Sequence, residues 1–293
     1  MKREIPLDEG LADQLHQLLL SAFGEMGDDL SRDVYLGAEA AHNNLTLYYE
    51  EEDSRPVSSC VTVRPRTMPS LAGFADVATE PAFRGRGLAS TLCDEAVQEF
   101  RASGGEAFFL GTVNPEAARI YHRLGWRRLA GTNGMVNVSA EISPEEYHAD
   151  YFRRPSAVTV EPASPADRIP IIPLIWTAHD DRVLDANVNL CSIRWQVQSS
   201  CIGLYPRYVR TLAESGAWFT ARTEDGRVVG LSTALQDGDW CAVDGFAHQN
   251  FTASWQQLLD AAITWGRRAG ARQLRARLCV EDEEKIARLE SIG

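Results

Sequence analysis

The chain has 293 residues, 44% of them hydrophobic and 24% charged, with a formal charge of −12. This length predicts two domains, and the globular composition excludes extended disorder. An acidic surface repels nucleic acid and anionic lipid, so neither is expected as a partner, whereas a cationic amine is compatible with it.

In chain order, Leu11, Leu15, Leu18, Leu19 and Phe23 recur at helical spacing. Leu45, Leu47 and Tyr49 alternate as in a strand, residues 51–55 are a polar turn, and Val57–Val63 is the hairpin partner. Ala72–Thr79 is a further strand. Leu88, Leu92, Ala96 and Phe100 then form one apolar helix face that Gly104-Gly105 ends. Ala107–Thr112 is a dense apolar run, the pattern of a central buried strand. Asn114-Pro115 opens the next helix, with Asn as cap and Pro in the first turn. Ala117, Ile120, Tyr121 and Leu124 line its face, Gly125 stops it, and residues 127–129 and 135–142 predict two closing strands.

The polar, Pro-flanked stretch 142–157 predicts a domain boundary, giving domains 1–150 and 151–293. The second reads as a diverged copy of the first. Trp218–Thr223 and Val228–Ala234 repeat the hairpin pattern, Leu258–Ile263 repeats Leu92–Val97, and Gly270 falls where Gly104 fell. Ile286, Leu289 and Gly293 echo Ile120, Leu124 and Gly125. The first copy continues past Gly125 with Trp126 and two strands. The second is therefore expected to lack its closing strands or to complete its sheet another way.

Six scattered cysteines form no Cys-x-x-Cys, and no histidine spacing suits zinc, so free thiols and no metal are expected. The N-terminus lacks the apolar core of a signal peptide and no apolar run approaches a membrane span. The expected location is cytoplasmic.

The chemistry concentrates in residues 76–89, where a strand runs through Pro81-Ala82-Phe83 into Arg84-Gly85-Arg86-Gly87 and opens a helix at Leu88-Ala89. Free amides at a helix N-terminus and the helix dipole together bind phosphate. Glycines let the backbone approach the anion, and Arg84 and Arg86 add positive charge at about 1.5–3 kcal/mol per charge-assisted bond. A P-loop would need Gly-Lys-Ser/Thr, which is absent. A dinucleotide fingerprint would place its first glycine directly after the strand and a third where Ser90 stands.

Arg84-x-x-Gly87-x-Ala89 resembles the Arg/Gln-x-x-Gly-x-Gly/Ala signature of the GNAT acetyltransferases, with Thr79-x-Pro81 before it as in the family's Val-x-Pro. Asn114, Ala118, Tyr121 and Gly125-Trp126 resemble the family's second block, and the tandem arrangement is similar to its mycothiol synthase-like two-copy members. The resemblance covers roughly residues 1–142. It implies an α/β architecture of tandem GNAT-like domains, each a mixed, mostly antiparallel twisted sheet flanked by helices. It also implies acetyl-CoA as cosubstrate and direct acetyl transfer to a primary amine of a small molecule or peptide. On this resemblance Arg84, Gly85, Arg86, Gly87, Leu88 and Ala89 hold the pyrophosphate, Ala78 and Thr79 pair with pantetheine, Asn114 contacts the cofactor and Tyr121 protonates the departing thiolate.

The general base is open between Asp76, Glu80 and water, and Glu25, Asp28 and Asp29 are either cation-attracting groups at the acceptor site or a solvated loop. In the second copy Gln249–Trp255 replaces the loop, bulky Phe251 opposes a diphosphate, and residues 283–288 offer no tyrosine, so that copy is expected not to bind acetyl-CoA productively. The alternatives are an acyl-CoA sensor without turnover, another acyl donor or an oxygen acceptor, and a structural or partner-binding protein.

Overall fold

The computed structural model describes residues 1–24 and 30–291; Glu25, Asp28, Asp29 and Gly293 lie outside them. Two compact units emerge. The first comprises Met1–Leu129, Asn133–Pro144 and Ser199–Gly203; the second comprises Ala130–Thr132, Glu145–Gln198 and the residues from Leu204 on. The main division thus falls at Pro144/Glu145 rather than at 150/151, and each half of the sequence lends a short segment to the other unit.

The first unit is a seven-stranded sheet. Its elements are β1 (Lys2–Glu4), α1 (Glu9–Phe23), α2 (Arg32–Tyr35), β2 (Asn43–Glu52), β3 (Arg55–Pro65), β4 (Leu71–Thr79), α3 (Leu88–Ala102), β5 (Ala107–Gly111), α4 (Pro115–Arg123), β6 (Arg127–Arg128) and β7 (Gly134–Val138). The strand order is β1-β2-β3-β4-β5-β7-β6, and only β4 and β5 run parallel. The β2–β3 hairpin turns at Asp53 and Ser54, both with positive φ, and α3 seats Leu92, Cys93, Ala96, Val97 and Phe100 on the sheet. Beneath it Phe74, Phe108 and Trp126 form an aromatic stack, with Phe74 and Phe108 centroids 4.3 Å apart. Sequence reading had not placed β1 or α2.

The second unit holds α5 (Pro144–Arg153), β8 (Val158–Pro162), α6 (Ile171–Ile175), β9 (Val183–Asp185), β10 (Leu190–Cys191), α7 (Leu204–Leu212), β11 (Gly216–Thr223), β12 (Val228–Asp237), β13 (Trp240–Ala247), α8 (Ala253–Arg268), β14 (Gln273–Arg275) and α9 (Glu283–Glu290). Its five-stranded sheet has the order β8-β11-β12-β13-β14, again with one parallel pair, β13–β14. This repeats β1 to β5 of the first sheet. Among the described residues no strands follow β14. Both units are mixed, mostly antiparallel sheets flanked by helices, and among the described residues no helix is long and apolar enough to cross a membrane.

Candidate functional site

The site begins with a defect in a ladder. Ser59 pairs with Ala78 and Val61 with Ala75, so Asp76 and Val77 stand together opposite the single Cys60. This is a β-bulge, and Asp76 takes φ +51°, the left-handed conformation that asparagine and aspartate tolerate better than most residues. The bulge turns β4 away from its parallel neighbour. The β4–β5 ladder ends at Gly73 and Phe109, leaving a wedge between the strands toward their C-terminal ends.

Past β4, Glu80 starts a 3₁₀ turn, Pro81–Phe83, and the chain bends through Gly85 (φ +78°) and Gly87 (φ +82°) into α3. No atom lies within 4 Å of a Cβ built on either glycine, so their requirement is conformational rather than steric. Gly87 caps α3 without a side chain, and the first intrahelical bond is Thr91 to the Gly87 carbonyl at 3.0 Å. The amides of Leu88, Ala89 and Ser90 precede that bond, at a helix start with no side-chain cap. Such an end attracts anions.

Across the wedge Asn114 caps α4, its Oδ1 accepting from Glu116 at 2.9 Å and Ala117 at 3.4 Å. Tyr121 is buried on α4 and meets Trp126 edge-on at 5.8 Å between centroids.

These elements enclose a cavity of about 560 Å³ lined by Ala78, Thr79, Arg84, Gly85, Gly87, Leu88, Ala89, Asn114 and Tyr121. Most of the residues singled out in the sequence therefore share one space. A second cavity, about 210 Å³, adjoins it and is lined by Asp76, Phe74, Leu110 and Thr112. Phe23, Val77, Asn114, Ala117 and Tyr121 line both.

Four candidates sit elsewhere or differently. Arg84 lines the larger cavity but its Nε donates to the Thr79 carbonyl at 3.1 Å, bracing the loop on the strand. Arg86 lies over the Phe83 ring, 4.6 Å from its centroid, and is not a lining residue. Glu80 is engaged outside both cavities, held bidentately by Arg55 at 2.7 and 3.2 Å. Asp76 is buried, lines the smaller cavity and accepts a hydrogen bond from the Tyr35 hydroxyl.

Sequence reading missed Tyr35, which belongs to a one-turn helix with too few residues to show periodicity, and the cavity role of Phe23. Phe23 completes the apolar spacing of α1, yet it is 46% exposed at the cavity rim. The six cysteines are free, and among the described residues no cluster of histidine, cysteine and carboxylate groups suits a metal ion. Burial, and then the neighbouring Cys93, raise the Cys60 thiol well above its ordinary value, which disfavours a thiolate nucleophile there.

A wedge between parallel strands, an uncapped left-handed loop and a tyrosine on the facing helix thus meet at one place in the first unit. Residues 12–126 match the model of the acetyltransferase (GNAT) family, and the matched span falls within the first unit. Solved structures similar to the chain include a tandem GNAT protein from the clavulanic acid biosynthesis pathway, 13% identical, covering 100% of this chain and 94% of that one at a TM-score of 0.39. A GCN5-related N-acetyltransferase from Kribbella flavida is 18% identical and covers 96% of this chain and 65% of its own, with a TM-score of 0.37. A GNAT family acetyltransferase from Brucella melitensis, in complex with acetyl-CoA, is 16% identical and covers 49% of this chain and 92% of its own, with a TM-score of 0.36. No curated protein matches the chain significantly.

Proposed function

We propose that the first unit is an acetyl-CoA-dependent N-acetyltransferase acting on a primary amine of a small molecule or peptide. The observation that carries this reading is the convergence on one cavity of the uncapped amides at Leu88–Ser90, the unpaired edge of β4 and the buried Tyr121. The residues fit the cosubstrate: open amides suit a diphosphate, a strand edge without a ladder partner suits an amide-bearing arm, and the wedge admits a thioester. Acetyl-CoA supplies an activated acyl group.

The protein's own groups do the rest. Gly85 to Ser90 bind the anion, with Arg84 braced on Thr79. Ala78 and Thr79 orient the arm, and Asn114 holds the start of α4 in register. An alkylammonium, with pKa about 10.4, costs roughly 4–5 kcal/mol to deprotonate at neutral pH, so a proton acceptor is required. Asp76 is the side chain for that task, because it lines the same small cavity as Tyr121, whereas Glu80 is committed to Arg55. Tyr121, which borders both cavities, stands where a leaving thiolate takes its proton.

The test is calorimetry with acetyl-CoA, followed by turnover of the parent and Tyr121→Phe across a panel of amines. Micromolar binding with turnover that collapses in the variant supports the assignment. Absence of acetyl-CoA binding overturns it. The second unit is proposed to be non-catalytic.

A further inference from the structure

The bulge in β4 is held from the neighbouring strand by two serines. Ser58 and Ser59 are successive residues of β3, and both are fully buried. The Ser59 hydroxyl donates to the Asp76 carbonyl at 3.0 Å. The Ser58 hydroxyl donates to the Ala78 carbonyl at 3.1 Å and lies 2.9 Å from the Thr79 hydroxyl. As neighbours on a strand, the two side chains leave β3 on opposite faces of the sheet, yet each reaches a carbonyl of β4. Val57, Cys60, Val61 and Val63 around them are apolar and equally buried. A hydroxyl in such surroundings costs free energy unless it is bonded, and alanine would fill the space without that cost. The position therefore calls for the hydrogen bond and not only for a small side chain.

A trans peptide unit points its N–H opposite to its C=O. The carbonyls of Asp76 and Ala78 are drawn toward β3, so the amides of Val77 and Thr79 face the other side, the wedge between β4 and β5. Val77 and Thr79 line the larger cavity there, and Val77 lines the smaller one as well. In a regular ladder, backbone donors alone set this direction. At the bulge Asp76 and Val77 share one position opposite Cys60, and the regular bonding is displaced. The Ser59 hydroxyl supplies the hold at this irregular unit.

Resting on the acetyl-transfer reading, we propose that Ser59 is a positioning residue for acyl transfer: through the Asp76 carbonyl it aims the Val77 amide at the thioester oxygen. Attack of a nucleophile on the thioester carbon moves the C=O electron pair onto that oxygen. The charge stays there until the C–S bond breaks and the thiolate leaves. An N–H already aimed at the oxygen lowers the barrier to this step without reorganisation. Once the hydroxyl is removed, the Asp76–Val77 unit loses its anchor and the amide swings off line. Ser58 holds the next unit, and with it the Thr79 amide, which belongs to the cosubstrate arm rather than to the reacting carbonyl.

The experiment records the infrared carbonyl band of acetyl-CoA, isotope-labelled at its carbonyl carbon, bound to the full chain and to Ser59→Ala and Ser59→Thr. A hydrogen bond to the oxygen lowers the stretching frequency. The band should lie lower in the parent and in Ser59→Thr, which keeps the hydroxyl, than in Ser59→Ala. Turnover with the best amine of the panel should fall at least about tenfold in Ser59→Ala, a share of the 10²–10³-fold that deleting an oxyanion donor costs. CoA affinity should stay at the parent value, which also reports that the variant folds. A merely structural serine would instead weaken CoA and acetyl-CoA alike and leave the carbonyl band in place. That result, or a band and turnover unchanged in Ser59→Ala, overturns this proposal and leaves acetyl transfer standing. Should Ser59→Ala fail to fold, Ser59→Cys, similar in shape with only a weak donor, takes its place, and the band decides in the same way. Absence of acetyl-CoA binding to the parent removes both readings.

Discussion

Tyr121 meets Trp126 edge-on at 5.8 Å, and Trp126 donates its indole N–H to the Phe108 carbonyl at 3.2 Å. Ring packing thus fixes where the phenol stands. Tyr121→Phe should keep stability within about 1 kcal/mol and leave acetyl-CoA affinity nearly unchanged while turnover falls by about 10²–10⁴. Trp126→Ala should cost about 3–5 kcal/mol. Urea unfolding and steady-state kinetics measured side by side separate the two effects.

Gly87 caps α3 in the left-handed region with open space around its Cβ position. Gly87→Ala should destabilise the protein by about 1–2 kcal/mol through backbone strain and weaken acetyl-CoA binding. Gly87→Asn should lose less, because asparagine tolerates that conformation. Thermal melts with and without cosubstrate read both.

Glu80→Gln should leave turnover and its pH profile unchanged, since its carboxylate serves Arg55 rather than a cavity. The lost ion pair is half-exposed on the arginine side and contributes about 0–1 kcal/mol. A shifted acidic limb in the pH–rate profile of this variant would return Glu80 to contention as the base.

Burial lowers His179 and His248 to about 4, the second also through its neighbour His179, while burial and then Asp244 raise Asp185 to about 7. Each imidazole takes up a proton in the unfolded chain before it does in the folded one, so its contribution is lost as pH falls from about 6.5 toward 4. Asp185 has the opposite sign. Folded, it holds a proton between about 4 and 7 that the unfolded chain releases, so its contribution is lost as pH rises through that window. His248→Phe, which keeps the stack on Phe152, should flatten the fall in urea stability on acidification, and Asp185→Asn should steepen it.

Lys285 and Asp244 are each 1% exposed. Lys285→Met should cost about 3–5 kcal/mol by stranding a buried carboxylate, and adding Asp244→Asn should recover part of that loss. A double-mutant cycle by chemical unfolding measures the coupling.

The loop from Arg84 to Ala89 and the start of α4 were legible because their requirements are local: glycine where φ is positive, proline where a turn starts, asparagine where a helix needs a cap. The apolar runs of α3 and β5 were equally plain. Tyr35 and the bulge at Asp76 were not, since the first reaches its partner across 41 residues and the second exists only as a mismatch between two strands. Glu80 and Arg86 show the converse limit. Their sequence neighbourhood placed them at the loop, while side-chain geometry gave one to Arg55 and the other to Phe83.

Ser199–Gly203, drawn from the second half of the sequence, belongs to the first unit, where Cys201 lies against Gly111 so closely that a Cβ added there would stand 3.0 Å from its own. Asn133 donates to the Ser199 hydroxyl at 3.0 Å. A gene fragment ending at residue 150 would therefore omit part of the body it was meant to encode and leave the C-terminal end of β5 bare.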